Sequence, residues 1–193
     1  MELIYMNIVE PIRDIQMIKQ MKESLNYYGT KRDVFLFVLG INCGLRVSDM
    51  LILKKGDIKD YQIRIKESKT KKHKVIPLHH IKNEIDEYIQ FLEDDDFLFK
   101  SNRKDKHGNQ KAINRIRAYK ILNEAAKNIG LENIGTHSMR KTFGYHYYKS
   151  TNDVALLMDI FNHSSQSVTL RYIGINQDIM NASISNAMKG LYD

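Results

Sequence analysis

The stretch from residue 31 to residue 42 constrains the fold of this chain more than any other part of its sequence. If this stretch is helical, its apolar side chains point in nearly every direction around the axis. They are Val34, Phe35, Leu36, Phe37, Val38, Leu39 and Ile41. A helix that is apolar all round is stable at the centre of a protein or inside a membrane. Because this run is far too short to span a bilayer, we predict a buried central helix that the other elements surround.

Most of the remaining chain has helical periodicity, with apolar residues at every third or fourth position. Three such helices are predicted over residues 12–25, 81–92 and 112–129. Pro11 is suited to open the first of them. Between residues 137 and 188 the pattern predicts a succession of short helices, with breaks near Ser150 and Ser164.

One segment, residues 56–78, has a different period. Ile63 and Ile65 alternate with the polar side chain of Arg64 between them, and this alternation predicts a β-hairpin. The hairpin tip at residues 68–72 is polar and cationic. No apolar side chain anchors it, so we expect the tip to be poorly ordered in the free protein. The predicted fold class is therefore α+β, mostly helical, with one small antiparallel sheet or hairpin.

The composition limits the class of protein. Thirty Lys and Arg against 23 Asp and Glu give a net charge of +7, which favours a polyanionic partner such as nucleic acid. Cys43 is the only cysteine, so a disulfide framework and a thiolate zinc site are excluded. No linker composition, repeat, membrane-length apolar run or signal sequence is present. We therefore expect a single domain over residues 1–193, in the cytoplasm and without a membrane partner.

Two motifs place cations where a phosphate group could bind. In the stretch Gly-Leu-Arg-Val-Ser-Asp, a glycine stops the apolar helix and the turn presents Arg46, with Asp49 close enough to orient it. In Thr-His-Ser-Met-Arg, three-residue spacing puts His137 and Arg140 on one face of a helix that Thr136 caps. Such a pair can hold phosphate oxygens and accept a proton. An Arg46–Asp49 ion pair that only caps a helix, and a chance His-x-x-Arg, are the structural alternatives.

A third motif contains a candidate nucleophile. His163 lies in the stretch Asn-His-Ser-Ser, and Tyr172 follows nine residues later. A phenol can serve as a covalent nucleophile when its proton is removed or when cations stabilise its anion. One tyrosine among eleven is by itself more often a packing residue. The motif therefore indicates a nucleophile only in combination with the two motifs that precede it.

These pieces occur in one fixed order, with a lysine in the hairpin tip between the first and second motifs. Together they resemble the tyrosine recombinase (phage integrase) family, over the stretch from Arg46 to Tyr172. The resemblance implies the catalytic fold of that family. It assigns the family's catalytic positions to Arg46, Lys69, His137, Arg140, His163 and Tyr172, with Asp49 in a supporting role.

The resemblance implies site-specific recombination of double-stranded DNA by transesterification, without a metal or another cofactor. Tyr172 would attack the scissile phosphate, form a 3′-phosphotyrosyl bond and release a 5′-hydroxyl. Arg46 and Arg140 would hold the non-bridging oxygens, and His163 would add a hydrogen bond. The residues agree with this implication, because cationic and proton-carrying groups suit a phosphorane-like transition state and no carboxylate cluster suited to Mg²⁺ is evident.

Proton transfer and DNA contact complete the implied site. His137 would handle the tyrosine proton, and Lys69 would protonate the leaving oxygen. We expect Lys69 to lie away from Tyr172, or to be mobile, when DNA is absent. Further DNA contacts are predicted for the cations near these motifs, Lys71, Lys72, Lys141 and Arg171.

The sequence departs from the family pattern in three places. The family usually has Glu where this chain has Asp49, which is shorter by one methylene but keeps the charge. It usually has Leu-Gly-His where this chain has Phe161 and Asn162 before His163, and asparagine tolerates the left-handed backbone of such a turn. Full-length integrases also carry a core-DNA-binding domain, whereas here about a dozen residues precede the first predicted helix. A fragment and a stand-alone protein both remain possible, and weak DNA affinity is expected.

The tail after Tyr172 predicts one more helix, over residues 177–189. Its apolar stripes consist of Ile175, Ile179, Ala182, Ile184, Met188 and Leu191. A helix with such a stripe buries it against something. In the family this segment often docks on a neighbouring subunit. We therefore expect it to pack in a pocket of its own domain or on a second copy, with self-association on DNA up to a synaptic tetramer and a monomer as one option without DNA.

Three other functions remain open at this stage. A non-catalytic DNA-binding or regulatory protein could keep the same fold, and a type IB topoisomerase-like enzyme could use a similar constellation to relax DNA. A metal hydrolase could use His73 or the pair His79-His80, but adjacent histidines point in different directions and lack a carboxylate at ligand spacing. The intact set of catalytic positions favours the recombinase.

Overall fold

The computed structural model describes residues 9–189. Its helices, numbered in chain order, are α1 (Ile15–Tyr28), α2 (Lys31–Cys43), α3 (Val47–Leu51), α4 (Lys82–Ile89), α5 (Arg115–Lys127), α6 (Thr136–Thr151), α7 (Val154–Phe161), α8 (Gln166–Tyr172) and α9 (Ile175–Met188). Its strands are β1 (Ile58–Lys59), β2 (Gln62–Lys66) and β3 (His73–Pro77). The protein is thus mostly helical with one small antiparallel sheet, and the predicted fold class is confirmed. In the described range no helix is long and apolar enough to cross a membrane.

Helix α2 is the central helix that its sequence predicts. It packs against α1, α4, α5 and α6, and five consecutive side chains from Phe35 to Leu39 are buried. At its start, Thr30 and Asp33 form a capping box that satisfies two free backbone amides. At Gly40 the helix lies so close to α6 that a Cβ atom would overlap the Met139 sulfur. The buried position of α2 fixes the place of the corner that follows it.

Helix α1 begins later than its sequence predicts. The expected start at Pro11 is wrong, because Asp14 accepts a hydrogen bond from the Gln16 amide and caps a helix that begins at Ile15. Ile12, which the prediction placed inside the helix, is buried outside it. Its backbone amide donates to Thr142 Oγ1 on α6 at 2.8 Å. The segment before α1 is therefore attached to the helix that carries the His-x-x-Arg motif.

Helix α5 is also shorter than predicted. The expected start near Ala112 is wrong, because that residue pairs with Lys100 in an isolated antiparallel bridge. Asn114 then caps the helix by accepting a hydrogen bond from the Arg117 amide. Upstream, the apolar residues 97–99 form no strand of their own, although Leu98 and Phe99 are fully buried in the main core.

The sheet has the strand order β1-β2-β3, with antiparallel neighbours. The predicted hairpin corresponds to β2 and β3, paired in a register that places Ile63 opposite Ile76. Ile63 is fully buried, while Arg64, the next residue, is exposed, so the alternation reflects one covered face. Strand β1 adds two residues to the other edge of β2. The hairpin therefore has one packed face, and its polar tip at residues 68–72 lies at the far end of the two strands.

The last four helices form a smaller apolar cluster of their own. Its buried members are Tyr145, Leu157, Phe161, Ile173 and Ile175. The predicted tail helix is confirmed, although α9 begins at Ile175 rather than at residue 177. Beyond this first residue the helix has no buried side chain, and Leu191 of the predicted stripe lies outside the described residues. Within the described range, the members of the stripe after Ile175 are therefore not buried on their own domain.

Candidate active site

The corner between α2 and α3 presents Arg46. Gly44 ends α2 in the left-handed conformation, at φ 62°, and a Cβ atom there would lie 2.7 Å from the Phe143 ring. The Arg46 side chain is 21% exposed, and its Nη1 donates to Glu67 Oε1 at 3.1 Å. The carboxylate that contacts Arg46 is thus Glu67 and not Asp49, so the expected Arg46–Asp49 contact is wrong.

Asp49 has a different partner. It is fully buried on α3, and its Oδ1 accepts a hydrogen bond from the Ser68 backbone amide at 3.0 Å. Its Oδ2 has no hydrogen-bond partner among the described residues. Asp49 therefore holds the hairpin tip against the corner that contains Arg46, because Ser68 is the residue directly before Lys69.

Helix α6 carries the His-x-x-Arg motif on its first turns. Its cap is Gly135 and not Thr136, because Ser138 Oγ accepts a hydrogen bond from the Gly135 amide and the helix begins at Thr136. Arg140 is 3% exposed and donates to the Phe161 carbonyl at 3.0 Å and to the Gly44 carbonyl. The buried guanidinium therefore connects the Arg46 corner to the end of α7.

The candidate nucleophile lies at the end of α8. The Tyr172 ring meets the His163 ring edge to face at 5.0 Å and the Phe161 ring at 5.5 Å, measured between centroids. His163 Nδ1 is 3.1 Å from Thr169 Oγ1. This contact holds the imidazole against α8, the helix that ends at Tyr172. Asn162 adopts the left-handed conformation at φ 52°, which confirms that asparagine can form the turn before His163. His163 and Tyr172 are thus brought together.

Burial and neighbouring cations change the protonation behaviour of these groups. Burial raises the pKa of Tyr172, and the charges of Arg140 and Arg46 oppose that rise. Burial lowers the pKa of His163, and the same two arginines lower it further. His137 is exposed at the edge of the site, yet desolvation and then the charge of Arg115 lower its pKa as well. At neutral pH the phenol is protonated, and both imidazoles are neutral and able to accept a proton.

The hairpin tip places Lys69 in solvent, between two anchored residues. Ser68 is held by Asp49, and Thr70 Oγ1 donates to Glu67 Oε2 at 2.6 Å. The tip thus has polar anchors, from two buried carboxylates, where the sequence offers no apolar one. Its order in the free protein stays a prediction. The Lys69 side chain itself is exposed. Its role, and its distance from Tyr172 in the free protein, stay predictions.

The four cations assigned to DNA contact occupy different environments. Lys71, Lys72 and Arg171 are exposed, and Lys71 sits in the left-handed turn at φ 58°. Lys141 is directed inward: its Nζ donates to the Val9 carbonyl at 2.6 Å and lies 5.4 Å from the centroid of the Tyr172 ring. Three of the four are thus accessible to a polyanion, and Lys141 contacts the candidate nucleophile.

Residues 14–178 match the family model of the phage integrase family. The chain belongs to this family. It is 49% identical over 181 residues to the probable integrase/recombinase YoeC of Bacillus subtilis (strain 168), covering 92% of this chain and 96% of that protein. It is 32% identical over 168 residues to a probable integrase/recombinase of Acholeplasma phage L2, covering 85% of this chain and 56% of that protein. The chain thus spans nearly all of one relative and about half of the other.

Solved structures of this family share the fold. The crystal structure of XerA recombinase superposes with a TM-score of 0.69 at 17% identity, covering 97% of this chain and 66% of that one. A crystal structure of a lambda integrase (75-356) dimer bound to a COC' core site gives a TM-score of 0.65 at 19% identity, covering 82% of this chain and 57% of that one. The phage integrase fold is therefore shown for this chain over most of its length.

Two residues of this integrase-family site are missing from the sequence analysis. Glu67 is fully buried beside Arg46, and Lys74 Nζ forms an ion pair with it at 3.2 Å. Only the charged character of a β-hairpin end could have drawn attention to them, and such residues are usually solvated. Their burial results from long-range packing, which local patterns do not encode.

A cationic cleft of 580 Å³ is also absent from the sequence analysis. It lies between the loop after Phe99 and the start of α5, and no acidic residue lines it. Its cations are Arg32, Arg103, Lys111, Arg117 and Lys120. The helical period of α5 predicts a polar face but not the meeting of that face with the loop and with α2.

Proposed function

We propose that this chain is a site-specific recombinase that cleaves and rejoins double-stranded DNA through a 3′-phosphotyrosyl intermediate at Tyr172. One observation carries the proposal. A largely buried phenol at the end of α8 lies against His163, within the influence of Arg140 from α6 and Arg46 from the α2–α3 corner. Three separate parts of the chain thus bring cations and an imidazole to one hydroxyl, as covalent attack on a phosphate requires.

Cleavage would exchange one phosphate ester bond for another, with two proton transfers. The Tyr172 oxygen attacks phosphorus, its proton passes to His137, and the bond from phosphorus to the 5′ oxygen breaks. Lys69 gives a proton to that oxygen, so a 5′-hydroxyl leaves. Arg46 and Arg140 hold the negative non-bridging oxygens as charge develops. Rejoining is the reverse reaction with a 5′-hydroxyl from another strand, and neither direction consumes ATP.

The DNA partner is supported by the charge distribution. The net charge is +7, and the exposed cations of the hairpin tip and of the cleft at the start of α5 provide contacts to phosphates. One lambda integrase structure of the same fold is bound to a COC' core site, and another is bound to DNA. We propose that Arg117 and Lys120, both exposed on α5, contact the phosphate backbone beside the cleavage site.

Self-association on DNA is supported by two apolar surfaces that lack partners within the described residues. One is the stripe of α9, where Ile179, Met180 and Ile184 are 62%, 56% and 58% exposed. The other is an apolar cleft of 670 Å³ between the end of α2, β3, α6 and α7, lined in part by Ile76 and Phe143. We propose that α9 of one copy occupies this cleft on a second copy, because an exposed apolar stripe and an apolar cleft of one chain complement each other.

Covalent trapping tests the proposal. A pool of nicked duplexes with randomised sequence is incubated with the protein, and adducts that survive denaturation are recovered and sequenced. The native protein should accumulate adducts because the nick lets the 5′ fragment diffuse away. Tyr172→Phe should form none while keeping its fold and its DNA affinity to within about twofold, since one hydroxyl is lost.

Three outcomes contradict the proposal in different ways. An adduct formed by Tyr172→Phe would exclude Tyr172 as the nucleophile. DNA binding by the native protein without any adduct would favour the non-catalytic alternative. Relaxation of a supercoiled circle without exchange between two recovered sites would favour a topoisomerase-like enzyme.

A further inference from the structure

Glu67 is a carboxylate that the proposed chemistry does not use, although it lies at the centre of the site. It follows β2 directly and is fully buried. Its Oε1 accepts from Arg46 Nη1 at 3.1 Å and pairs with Lys74 Nζ at 3.2 Å. Its Oε2 accepts from Thr70 Oγ1 at 2.6 Å and from Asn162 Nδ2 at 2.8 Å. Both oxygens are therefore fully engaged, each with two donors.

The four donors come from three segments of the site, because Thr70 and Lys74 both belong to the hairpin. Arg46 is a candidate phosphate ligand, Thr70 is the neighbour of Lys69, and Asn162 is the neighbour of His163. The carboxylate thus joins the α2–α3 corner, the hairpin tip and the turn before α8 through one group. A misplacement of about 1 Å in an active site costs roughly a hundredfold in rate. The four contacts of Glu67 therefore control the rate of a reaction in which these three segments act together.

Hydrogen bonds and neighbouring positive charges keep the Glu67 carboxylate ionised. Burial alone would raise the pKa of Glu67, but the hydrogen bond from Thr70 and the charges of Lys74 and Arg46 lower it below the usual value. A buried carboxylate without partners is strongly unfavourable, and here two cations and two polar hydrogens satisfy it. A neutral side chain of the same shape would leave Arg46 and Lys74 uncompensated beside Arg140.

We infer that Glu67 is a positioning residue for strand cleavage, which holds the Lys69 turn in place against Arg46 and the His163 turn. The inference rests on the proposed function. It assigns to Glu67 the placement of the leaving-group proton donor through Thr70 Oγ1. A competing explanation is that Glu67 occupies the place of the phosphate and inhibits the free enzyme, and this explanation predicts the opposite change in rate.

The test uses single-turnover cleavage of a nicked duplex recovered by covalent trapping. The duplex is made in two forms, one with the natural phosphate and one with sulfur as the bridging 5′ atom. A thiolate leaves without a proton, so the sulfur substrate does not need a placed acid. The variants are Glu67→Gln, Glu67→Asp and Thr70→Val, the last of which removes one hydroxyl and keeps the ion pairs.

The matched control is Asp33→Asn. Asp33 is also a buried acid, 3% exposed and paired with Arg32 at 2.7 Å, but it lies at the start of α2 and away from the site. It should lower stability without a change in cleavage rate per folded molecule at saturating DNA, a condition that removes any effect on binding through Arg32, which lines the cationic cleft. Folded fractions are measured by circular dichroism before each assay, so a loss of fold is separated from a loss of rate.

Glu67→Gln should lower cleavage of the natural substrate by about a hundredfold, and the sulfur substrate should recover at least about tenfold of that loss. Thr70→Val should lose about tenfold with the same recovery, and Glu67→Asp should recover part of the rate because it keeps the charge. Unchanged or faster cleavage by Glu67→Gln, or equal losses on both substrates, would overturn the inference. Absence of cleavage by the native protein on either substrate would instead refute the proposed function on which it rests.

Discussion

The hairpin tip carries the proposed proton donor and the tail helix α9 follows the proposed nucleophile, and the two segments are held in opposite ways. The tip that contains Lys69 is polar and exposed, yet Asp49 and Glu67 bind the residues on either side of it. The helix α9 that follows Tyr172 has an apolar stripe, yet after Ile175 none of its side chains is buried. Anchoring in this protein is therefore set by the partners that a segment meets and not by its hydropathy.

The two segments therefore have different roles in the proposed reaction. The proposed acid, Lys69, lies between residues that buried carboxylates of the same chain hold, so its position would be independent of concentration. In the proposed assembly, the helix that follows the candidate nucleophile docks on a second copy, so assembly would control it. Variants in the two segments should therefore separate cleavage from strand exchange.

The largest expected effect is at the tip. Lys69→Ala should reduce single-turnover cleavage by about 10²- to 10⁴-fold, the usual contribution of a placed general acid, with DNA affinity nearly unchanged. The sulfur-bridged substrate should recover most of the loss. Lys71→Ala, which removes a neighbouring exposed cation, is the control and should change the rate little. A loss at Lys71 as large as that at Lys69 would mean that the tip acts only through its charge.

The next effect is at the tail, where assembly and chemistry should separate. Ile184→Glu places a charge on the exposed apolar stripe and should lower recombination between two sites by at least about tenfold, because a buried unpaired charge is unfavourable at an interface. Cleavage of a single nicked duplex should be unchanged. Asn186→Glu adds the same charge on the opposite side of α9 and should have no effect on either assay. Full strand exchange by Ile184→Glu would show that α9 has no part in assembly.

A smaller effect is expected from pH. Burial and nearby arginines lower the pKa of His163, and desolvation with Arg115 lowers that of His137, so both rings stay neutral when pH falls through the ordinary imidazole value of about 6.5. Cleavage should therefore decline only below this pH, as His137 becomes protonated and can no longer accept the tyrosine proton. Titration of the imidazole proton signals by NMR gives the two pKa values directly. A midpoint above about 6.5 would contradict the expectation, and Arg115→Gln should shift the His137 midpoint upward.

The motifs and most of the helices could be predicted because each depends on nearby residues. Arg140 and His137 share a helix face by spacing alone, and the apolar run of α2 specifies burial without knowledge of its partners. The order of the motifs then identified the family. The N-caps Asp14 and Gly135 were harder to predict, because several neighbouring residues compete to cap each helix and tertiary contacts select one of them.

The network around Glu67 could not be predicted from local sequence. Its partners Arg46 and Asn162 are 21 and 95 positions away, and a glutamate at the end of a polar hairpin strand is ordinarily solvated. For the same reason the local sequence predicts Asp49, which is closer in the chain, as the partner of Arg46. Only the folded arrangement of α3 against the hairpin shows that Glu67 contacts Arg46 and that Asp49 binds the Ser68 amide instead.

The smallest expected effect tests whether the tail is as free as its exposure indicates. Asp178 on the first turn of α9 accepts from Arg13 Nε at 2.9 Å, and both side chains are 32% exposed. An ion pair of this exposure contributes about 0.5 kcal/mol, so Asp178→Asn should lower the free energy of urea unfolding by roughly that amount.

Asp49→Asn, which weakens a buried anchor of the tip, is the matched comparison and should lower the free energy of unfolding by about 2 kcal/mol. A double-mutant cycle with Arg13→Gln isolates the pair from other effects of each change. A loss above about 2 kcal/mol for Asp178→Asn would mean that α9 is firmly anchored on its own domain, and the contrast between tip and tail would fail.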